Sequence, residues 1–273
     1  MTIPFRLTAR LLRRDFAGLA ALLVLVALIL LVNPLIADSI GGGAGLEDLL
    51  NTLPPALRAF TQTQPEFLAA SGLAGFLSVS FTHPVYLAIA SVALVGFAAR
   101  GLAGEMERGT IQLALSRPIS RTRVYLSRVI GVIAISILLS VVGPVGMLIG
   151  LAIARPSGEL DRFNFVYAGI GTFFLFWAIG GLSLLGSAAA DTGGRCVAWA
   201  TTALVVTYFV DYFASLWEVL EPLEPLSVLN YFDPGQALVN GVLNGPDLIV
   251  LGVTGLVGSV AGLMVFARRD LPS

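Results

Sequence analysis

Residues 104–128, GEMERGTIQLALSRPISRTRVYLSR, interrupt a chain that is otherwise sparsely charged. The stretch carries seven charged residues, which are Glu105, Glu107, Arg108, Arg117, Arg121, Arg123 and Arg128. Uncharged runs lie on both sides of it, from Phe67 to Ala99 and from Val129 to Ala154. Both runs are longer than the roughly 20 residues with which a helix crosses a bilayer. The stretch is therefore predicted to connect two membrane-spanning helices outside the membrane.

The composition of the whole chain is that of an integral membrane protein. Of 273 residues, 56% are hydrophobic and 12% are charged, and the mean hydropathy is +0.89. A soluble domain usually has about twice that charged fraction. Apolar stretches long enough to span a bilayer lie near 17–37, 80–103, 124–154, 163–190, 196–217 and 248–267. The predicted fold is one all-α integral membrane domain over 1–273 with six transmembrane helices.

The basic residues are all arginine, and their positions predict the orientation of the protein. With six spans, both termini lie on the same side of the membrane. That side receives 13 of the 16 basic residues, namely Arg6, Arg10, Arg13, Arg14, Arg100, Arg108, Arg117, Arg121, Arg123, Arg128, Arg195, Arg268 and Arg269. The other side receives Arg58, Arg155 and Arg162. Because cytoplasmic loops are enriched in basic residues, we expect both termini in the cytoplasm and the protein in the inner (cytoplasmic) membrane.

Residue types argue against several kinds of site. The chain has no lysine, so it has neither a P-loop lysine nor a Schiff-base lysine. The glycine run Gly41–Gly45 lacks the Lys-Ser/Thr of a phosphate-binding loop, and we interpret it as a turn. His83 and Cys196 are single residues of their types and form no disulfide or Cys/His metal cluster, so we interpret them as packing or interface residues. No catalytic or metal-ligating residue is predicted.

Asp211 is the one candidate residue for a translocation pathway. Burial of a charge in hydrocarbon is costly, and Asp211 lies near the outer end of the fifth predicted span, at interface depth, where water reduces that cost. Secondary transporters usually carry acidic residues or interrupted helices at mid-depth, and the spans of this chain hold almost no ionisable residues. We therefore expect the driving energy to come from another protein.

The N-terminal segment 1–16 predicts an amphipathic helix on the inner membrane surface. Phe5, Ala9, Leu12 and Phe16 lie within about 60° of one another on a helical wheel, and four arginines occupy a separate arc. The aromatic face would dip into the lipid while the arginines face headgroups or a partner. A simple topology anchor is the alternative interpretation.

Two outer segments predict short helices. Residues 46–53 place leucines at helical spacing before Pro54 and Pro55, which indicates an interfacial helix. Residues 218–247 are acidic and partly apolar, and prolines divide them, so we expect short interfacial helices or a re-entrant hairpin. A plain loop is the alternative for the second segment.

Small residues recur in three of the predicted spans. Examples are Gly146 with Gly150, Gly180 with Gly181, and Gly258 with Gly262. Small side chains let helix backbones approach closely in a membrane. The pattern predicts a closely packed bundle or a dimer.

Local sequence signals divide residues 104–121 into a helix end, a short element and a helix start. Gly109 stands where a helix C-terminal cap would lie, and Thr110 can cap the element that follows. Pro118 ends that element, and Ser120 would cap the next helix. The alternating aliphatic residues from 111 to 115 also allow a strand, but an isolated strand would leave its backbone unpaired. A short surface helix suited to docking in a groove of a soluble partner is favoured over an ordinary basic loop.

The same residues carry a family resemblance. The run EMERGTIQLALSRPISRTRVYLSRVIG resembles the cytoplasmic signature of ABC transporter permeases of the type-2, exporter-like class. The family commonly has Lys-Gly or Gly-Lys near the start of the following span, whereas Ser127-Arg128 keeps only the positive charge. By this resemblance, 104–121 would be the coupling helix and 5–14 the connecting helix. The implied ATPase interface comprises Glu105, Glu107, Arg108, Gly109, Thr110, Ile111, Leu113, Leu115, Arg117, Pro118, Ser120 and Arg121.

The resemblance implies a transport subunit of an ATP-driven exporter. ATP and Mg would be bound by a separate ATPase subunit, with no cofactor on this chain. The implied complex has two ATPase copies and two permease copies, either the same chain or a related one. The long outer segments and apolar spans fit an amphiphilic cargo, and an ion is the alternative. One alternative is a membrane subunit that serves periplasmic copper-site maturation with a periplasmic partner. A second, from a different class, is an ATP-independent secondary carrier or membrane enzyme.

Overall fold

The computed structural model describes residues 3–42, 52, 65–111, 119–214, 217 and 219–269. Within these ranges the chain is all α-helical, with short 3-10 and π turns and no strand, as predicted. The α-helices are α1 Ile3–Arg14, α2 Phe16–Ser39, α3 Pro65–Thr82, α4 Pro84–Gly101, α5 Ala103–Glu107, α6 Arg121–Ala154, α7 Asn164–Ala189, α8 Gly193–Ala214 and α9 Gly245–Arg268.

Six helical stretches of the described chain are long and apolar enough to cross a membrane. They are α2, α4 continued through α5, α6, α7, α8 and α9, with lengths from 22 to 34 residues. A helix rises about 1.5 Å per residue, so each of them covers the roughly 30 Å of a hydrocarbon core. The protein is therefore a multi-pass membrane protein.

Helix α7 lies at the centre of the bundle. It packs against α9, α6, α4 and α8, and Leu175 and Phe176 are completely buried in its middle. By contrast, only 6% of the residues in the apolar stretch of α8 are buried, against 67% for α4 and α5. Helix α8 therefore lies at the edge of the bundle, with most of its surface uncovered by this chain.

Glycines set the closest helix contacts, and these contacts lie within the chain. A Cβ added at Gly258 would come within 2.7 Å of the Gly181 carbonyl carbon, so α7 and α9 touch backbone to backbone. A Cβ at Gly146 would come within 2.9 Å of the Cα of Ala27, so α6 and α2 approach as closely. Small residues thus pack the helices of one chain against each other. Of the two predictions, a closely packed bundle or a dimer, this is the first.

The second predicted span, 80–103, does not coincide with one continuous helix. Helix α3 ends at Thr82, His83 adopts an extended backbone, and α4 begins at Pro84. The residue before a proline is pushed out of the helical region, so Pro84 fixes this boundary. The His83 side chain accepts a hydrogen bond from the Val85 amide at 3.3 Å and caps α4.

The described part of the segment 218–247 contains the short helices that the prolines predict. Two are 3-10 helices, Glu221–Leu226 and Leu229–Tyr231, and one is a π-helical turn, Gln236–Asn240. Gly41 and Gly42 have φ values of 90° and 70° and turn the chain after α2. The predicted interfacial helix over 46–53 lies outside the described residues except for Thr52.

Candidate functional site

One end of the bundle gathers the charged side chains and is called the basic end here. Arg14, Arg100, Arg128, Arg195 and Arg269 all lie in contacts at this end. The short helix α5 lies among them and leads directly into residues 112–118. The contacts of α5 therefore show how the chain that precedes this segment is attached to the bundle.

A buried ion pair joins α5 to α6. The Arg128 Nη2 atom donates to Glu105 Oε2 at 2.5 Å, with side-chain exposures of 4% and 11%. The same guanidinium donates to the Gly101 carbonyl at 3.0 Å and to Ser127 Oγ at 2.6 Å. A guanidinium has a planar array of donors that can serve several acceptors at once. Arg128 thus fixes α5 and the end of α4 to the first turns of α6.

A second set of contacts brings α1 and α2 into the same network. Arg14 donates to Glu105 at 3.5 Å and to Asp15 at 3.3 Å. Arg100 donates to the other oxygen of Asp15 at 3.2 Å. Both arginines are about half exposed, so these contacts are weaker than the buried pair. They nevertheless connect Glu105 to the junction between α1 and α2.

The break between α4 and α5 is bridged by a serine from α7. Leu102 leaves the helical region at φ −125° and ψ −69°. Ser187 Oγ accepts a hydrogen bond from the Ala103 amide at 3.1 Å and donates to the Ala98 carbonyl at 2.6 Å. The serine thus supplies partners that the broken helix lacks, because a buried backbone group without a partner is costly. It also attaches the break to the central helix.

The remaining contacts of the basic end reach α8 and α9. The Gly193 amide at the start of α8 donates to Glu107 Oε2 at 2.9 Å. Asp191, just before α8, pairs with Arg195 at 2.6 Å and with Arg269 at the end of α9. Arg269 also donates to the carbonyls of Ala188 and Ala190. Glu107 therefore attaches α5 directly to the first residue of α8.

Six of the predicted interface residues that the structure describes fall into two groups. Glu107, Arg108, Gly109 and Thr110 are exposed and follow one another at the surface. Glu105 and Ile111 are buried inside this chain, Ile111 at 2% exposure. Those two side chains therefore hold the segment to the bundle and present no free docking surface.

Three predicted caps can be compared with the structure. Gly109 has φ +66° directly after α5, a conformation that glycine adopts without strain. Ser120 caps α6 by accepting from the Arg123 amide at 3.3 Å, as predicted. Thr110 Oγ1 donates back to the Glu105 carbonyl at 3.3 Å, which closes the turn after α5.

Arg121 ties the start of α6 to the end of α9. It donates to the Arg269 carbonyl at 2.7 Å and to the Ala267 carbonyl at 3.4 Å. The predicted interface residues Leu113, Leu115, Arg117 and Pro118 lie outside the described residues. The predicted short surface helix, most of which they form, stays a prediction.

The sequence did not reveal several members of the network. Arg128 was recognised as a positive charge at the start of a span, but not as the partner of Glu105. Ser187 and Thr8 were not singled out. A usable signal for Arg128 is its position seven residues into a helix that runs on to Ala154, because an arginine at that depth needs a partner.

Asp211 and the other ionisable residues form no comparable cluster in the described chain. Asp211 is half-buried on α8 beside Ser227 and Glu224. The described residues contain no group of three or more His, Cys, Asp or Glu side chains that could hold a metal ion. Among these residues, the network at the basic end is the most extensive polar arrangement that links helices.

The arrangement at the basic end suits mechanical transmission. Helix α5 is held by side chains to α1, α6, α7 and α8, and it continues into the segment 112–118. A displacement of that segment would therefore pull on four helices at once. The network contains no nucleophile paired with a base and no phosphate-binding loop among the described residues.

The chain was compared with protein families and with curated proteins. A family model described as "ABC-2 family transporter protein" matches residues 10–271, which is nearly the whole chain. A search of curated proteins found no match.

Proposed function

The chain belongs to the ABC-2 transporter family, and from this premise we propose that it is the permease subunit of an ATP-driven exporter. Membership implies an ABC ATPase partner and a place in a membrane. The coupling of ATP hydrolysis to efflux of an amphiphilic substrate is the further step that we propose. The observation that carries it is the attachment of α5 to four other helices.

ATP and Mg are assigned to the partner subunit. The chain has no lysine anywhere, and a P-loop uses a lysine to reach the β- and γ-phosphates. The spans also offer few ionisable groups that could be driven by protons or sodium. Energy therefore enters this protein as movement of a docked ATPase.

The proposed transmission begins at residues 112–118 and passes through α5. Closure of two ATPase copies around ATP displaces this segment. Glu105 transmits the displacement to α6 through Arg128, and Glu107 transmits it to α8 through the Gly193 amide. Ser187 keeps the break at Leu102 attached to the central helix while α5 moves. Two permease copies would alternate access to a pathway between them.

The proposed location is the inner (cytoplasmic) membrane with both termini in the cytoplasm. The arginine distribution supports this orientation, because the basic end gathers α1, α5 and the end of α9. In the sequence, residues 112–118 connect α5 to α6. They would therefore face the compartment that supplies ATP.

Co-purification with the ATPase subunit tests the docking step. The substitutions Leu113→Asp and Leu115→Asp together should abolish co-purification in mild detergent, because charged side chains would not bury in an apolar groove. The substitutions leave Ile111 unchanged. Ile111 is buried within this chain, so its removal would disturb folding as well as docking.

A matched control uses two exposed leucines that lie away from the basic end. Leu223→Asp with Leu226→Asp introduces the same charges at residues that are 40% and 77% exposed. The control should retain the ATPase subunit. Unchanged co-purification of the Leu113 and Leu115 variant would overturn the docking assignment.

A further inference from the structure

Helix α1 presents three separate faces along its length. At 100° per residue, Thr8 and Leu11 lie on one face and Phe5 lies on the next, with Phe16 two residues after the end of α1. The third face carries Arg6, Arg10 and Arg13 and is called the arginine face. The contacts of each face within the described chain show which face is available to bind another molecule.

The first face is used within the protein. Thr8 Oγ1 donates to the Ser127 carbonyl at 2.8 Å, and Leu11 is buried. These contacts attach α1 to α6. Ser127 lies six residues after the start of α6, which corresponds to about 9 Å along the helix. Helix α1 is therefore attached to the first turns of α6.

The second face is aromatic and lacks a covering from the described chain. Phe5 and Phe16 are 51% and 66% exposed. Phe16 is also the first residue of the membrane-spanning helix α2. An aromatic face beside the first residue of a span is suited to the boundary between headgroups and acyl chains. At this boundary, α1 would lie along the membrane surface.

The arginine face has no counter-ion among the described residues. Arg6, Arg10 and Arg13 are exposed, and no hydrogen bond or ion pair joins them to a described residue. The carboxylates described at this end are already engaged: Asp15 by Arg14 and Arg100, Glu105 by Arg128, Glu107 by Gly193 and Asp191 by Arg195 and Arg269. Within the described residues, these three guanidinium groups are therefore left available to an external anion.

We propose that the arginine face of α1 binds the phosphate groups of anionic phospholipids. The aromatic face beside it sets the depth, and three guanidinium groups at successive turns meet the headgroup layer. A guanidinium recognises phosphate through paired hydrogen bonds as well as charge. Because α1 ends at Arg14, which contacts Glu105 at 3.5 Å, bound lipid would stabilise one side of the network. This inference stands independently of any ATPase partner.

Lipid selectivity of the full chain tests the proposal. The protein is reconstituted in phosphatidylcholine vesicles with trace spin-labelled phosphatidylglycerol or spin-labelled phosphatidylcholine, and the motionally restricted fraction is measured for each. The wild type should prefer phosphatidylglycerol, with a preference that falls as salt is raised. The variant Arg6→Gln, Arg10→Gln, Arg13→Gln should lose this preference by about tenfold.

Two further variants separate charge from folding. Lysine at the same three positions keeps the charge and should keep most of the preference. A second triple variant removes the same amount of charge on the predicted outer side of the membrane and should leave the preference for phosphatidylglycerol intact. Its substitutions are Arg58→Gln, Arg155→Gln and Arg162→Gln. The proposal is overturned if the glutamine variant at 6, 10 and 13 retains wild-type selectivity. If that variant keeps its lipid preference but loses a co-purified ATPase subunit, the arginine face instead binds protein.

Discussion

At the residue scale, the pair between Glu105 and Arg128 is the most buried ionic contact among the described residues. Two charges in such a place contribute little when intact, because desolvation offsets their attraction. Removing one partner is different, since it leaves the other charge buried without compensation. The pair therefore acts chiefly as a constraint on how α5 and α6 are placed.

Single substitutions in this pair should destabilise the protein strongly. Arg128→Met or Glu105→Gln is expected to cost about 3–5 kcal/mol, because a buried charge or its donors lose their partner. The double variant should recover part of the loss. Thermal unfolding in detergent measures both effects.

Arg100→Gln is the matched control. The Arg100 side chain is 50% exposed and its contact with Asp15 is 3.2 Å long, so a loss of about 1 kcal/mol or less is expected. If Arg100→Gln and Arg128→Met lowered the unfolding temperature equally, the buried pair would not have the importance assigned to it.

The conformation of a single residue was predictable where it depends on residues next to it in the sequence. Gly109 and Ser120 follow from local capping rules, and the structure has a left-handed glycine and a serine cap at those positions. The partnership of Glu105 with Arg128 spans 23 residues and depends on how α4 and α6 cross. Capping rules concern residues that are close in sequence, so they do not predict this contact.

At the element scale, the broken connection between α4 and α5 is the feature on which transmission depends. A continuous helix would transmit a push only along its own axis. The break at Leu102 lets α5 change direction relative to α4, and Ser187 prevents the broken ends from separating. The chain can thus bend at Leu102 while Ser187 keeps both sides of the break attached to α7.

Ser187→Ala should loosen this joint. The substitution leaves the Ala103 amide without a partner, at a cost of about 1–3 kcal/mol. Hydrogen exchange of peptides covering 98–107 should accelerate by about tenfold or more, since 1.4 kcal/mol corresponds to a factor of ten.

Ser183→Ala provides the comparison one turn earlier in α7. Ser183 Oγ bonds only back to the Ile179 carbonyl of its own helix, at 2.7 Å, so its loss should leave exchange at 98–107 unchanged. Equal acceleration in both variants would argue against a specific bridge.

The number of spans was predictable because five uncharged runs reach about 20 residues and the remaining run does so when it is continued past Asp211. The position of the break was not predictable, because Ser187 from α7 sets it across 84 positions of sequence. The boundary at His83 could have been placed from Pro84, but the uncharged run continues through it.

At the scale of the whole molecule, the bundle combines a tightly packed centre with a loosely held edge. Helix α7 is closely packed on several sides, whereas α8 has little of its surface covered by this chain. A displacement of α5 would therefore move α8 more readily than α7. The hydrogen bond from Gly193 to Glu107 is the direct link for this movement.

The reactivity of Cys196 tests this account most directly. It is the one cysteine of the chain, it is fully buried, and it lies one turn after Gly193 in α8. In the complex with a cysteine-free ATPase subunit, its rate of modification by N-ethylmaleimide is measured without nucleotide and with ATP trapped by vanadate. The account predicts a severalfold change in rate on trapping in the wild type. It also predicts no change in Glu107→Ala, which removes the acceptor of the Gly193 amide, provided that variant still co-purifies with the ATPase. A rate that stays constant in the wild type while ATP is trapped would contradict the account.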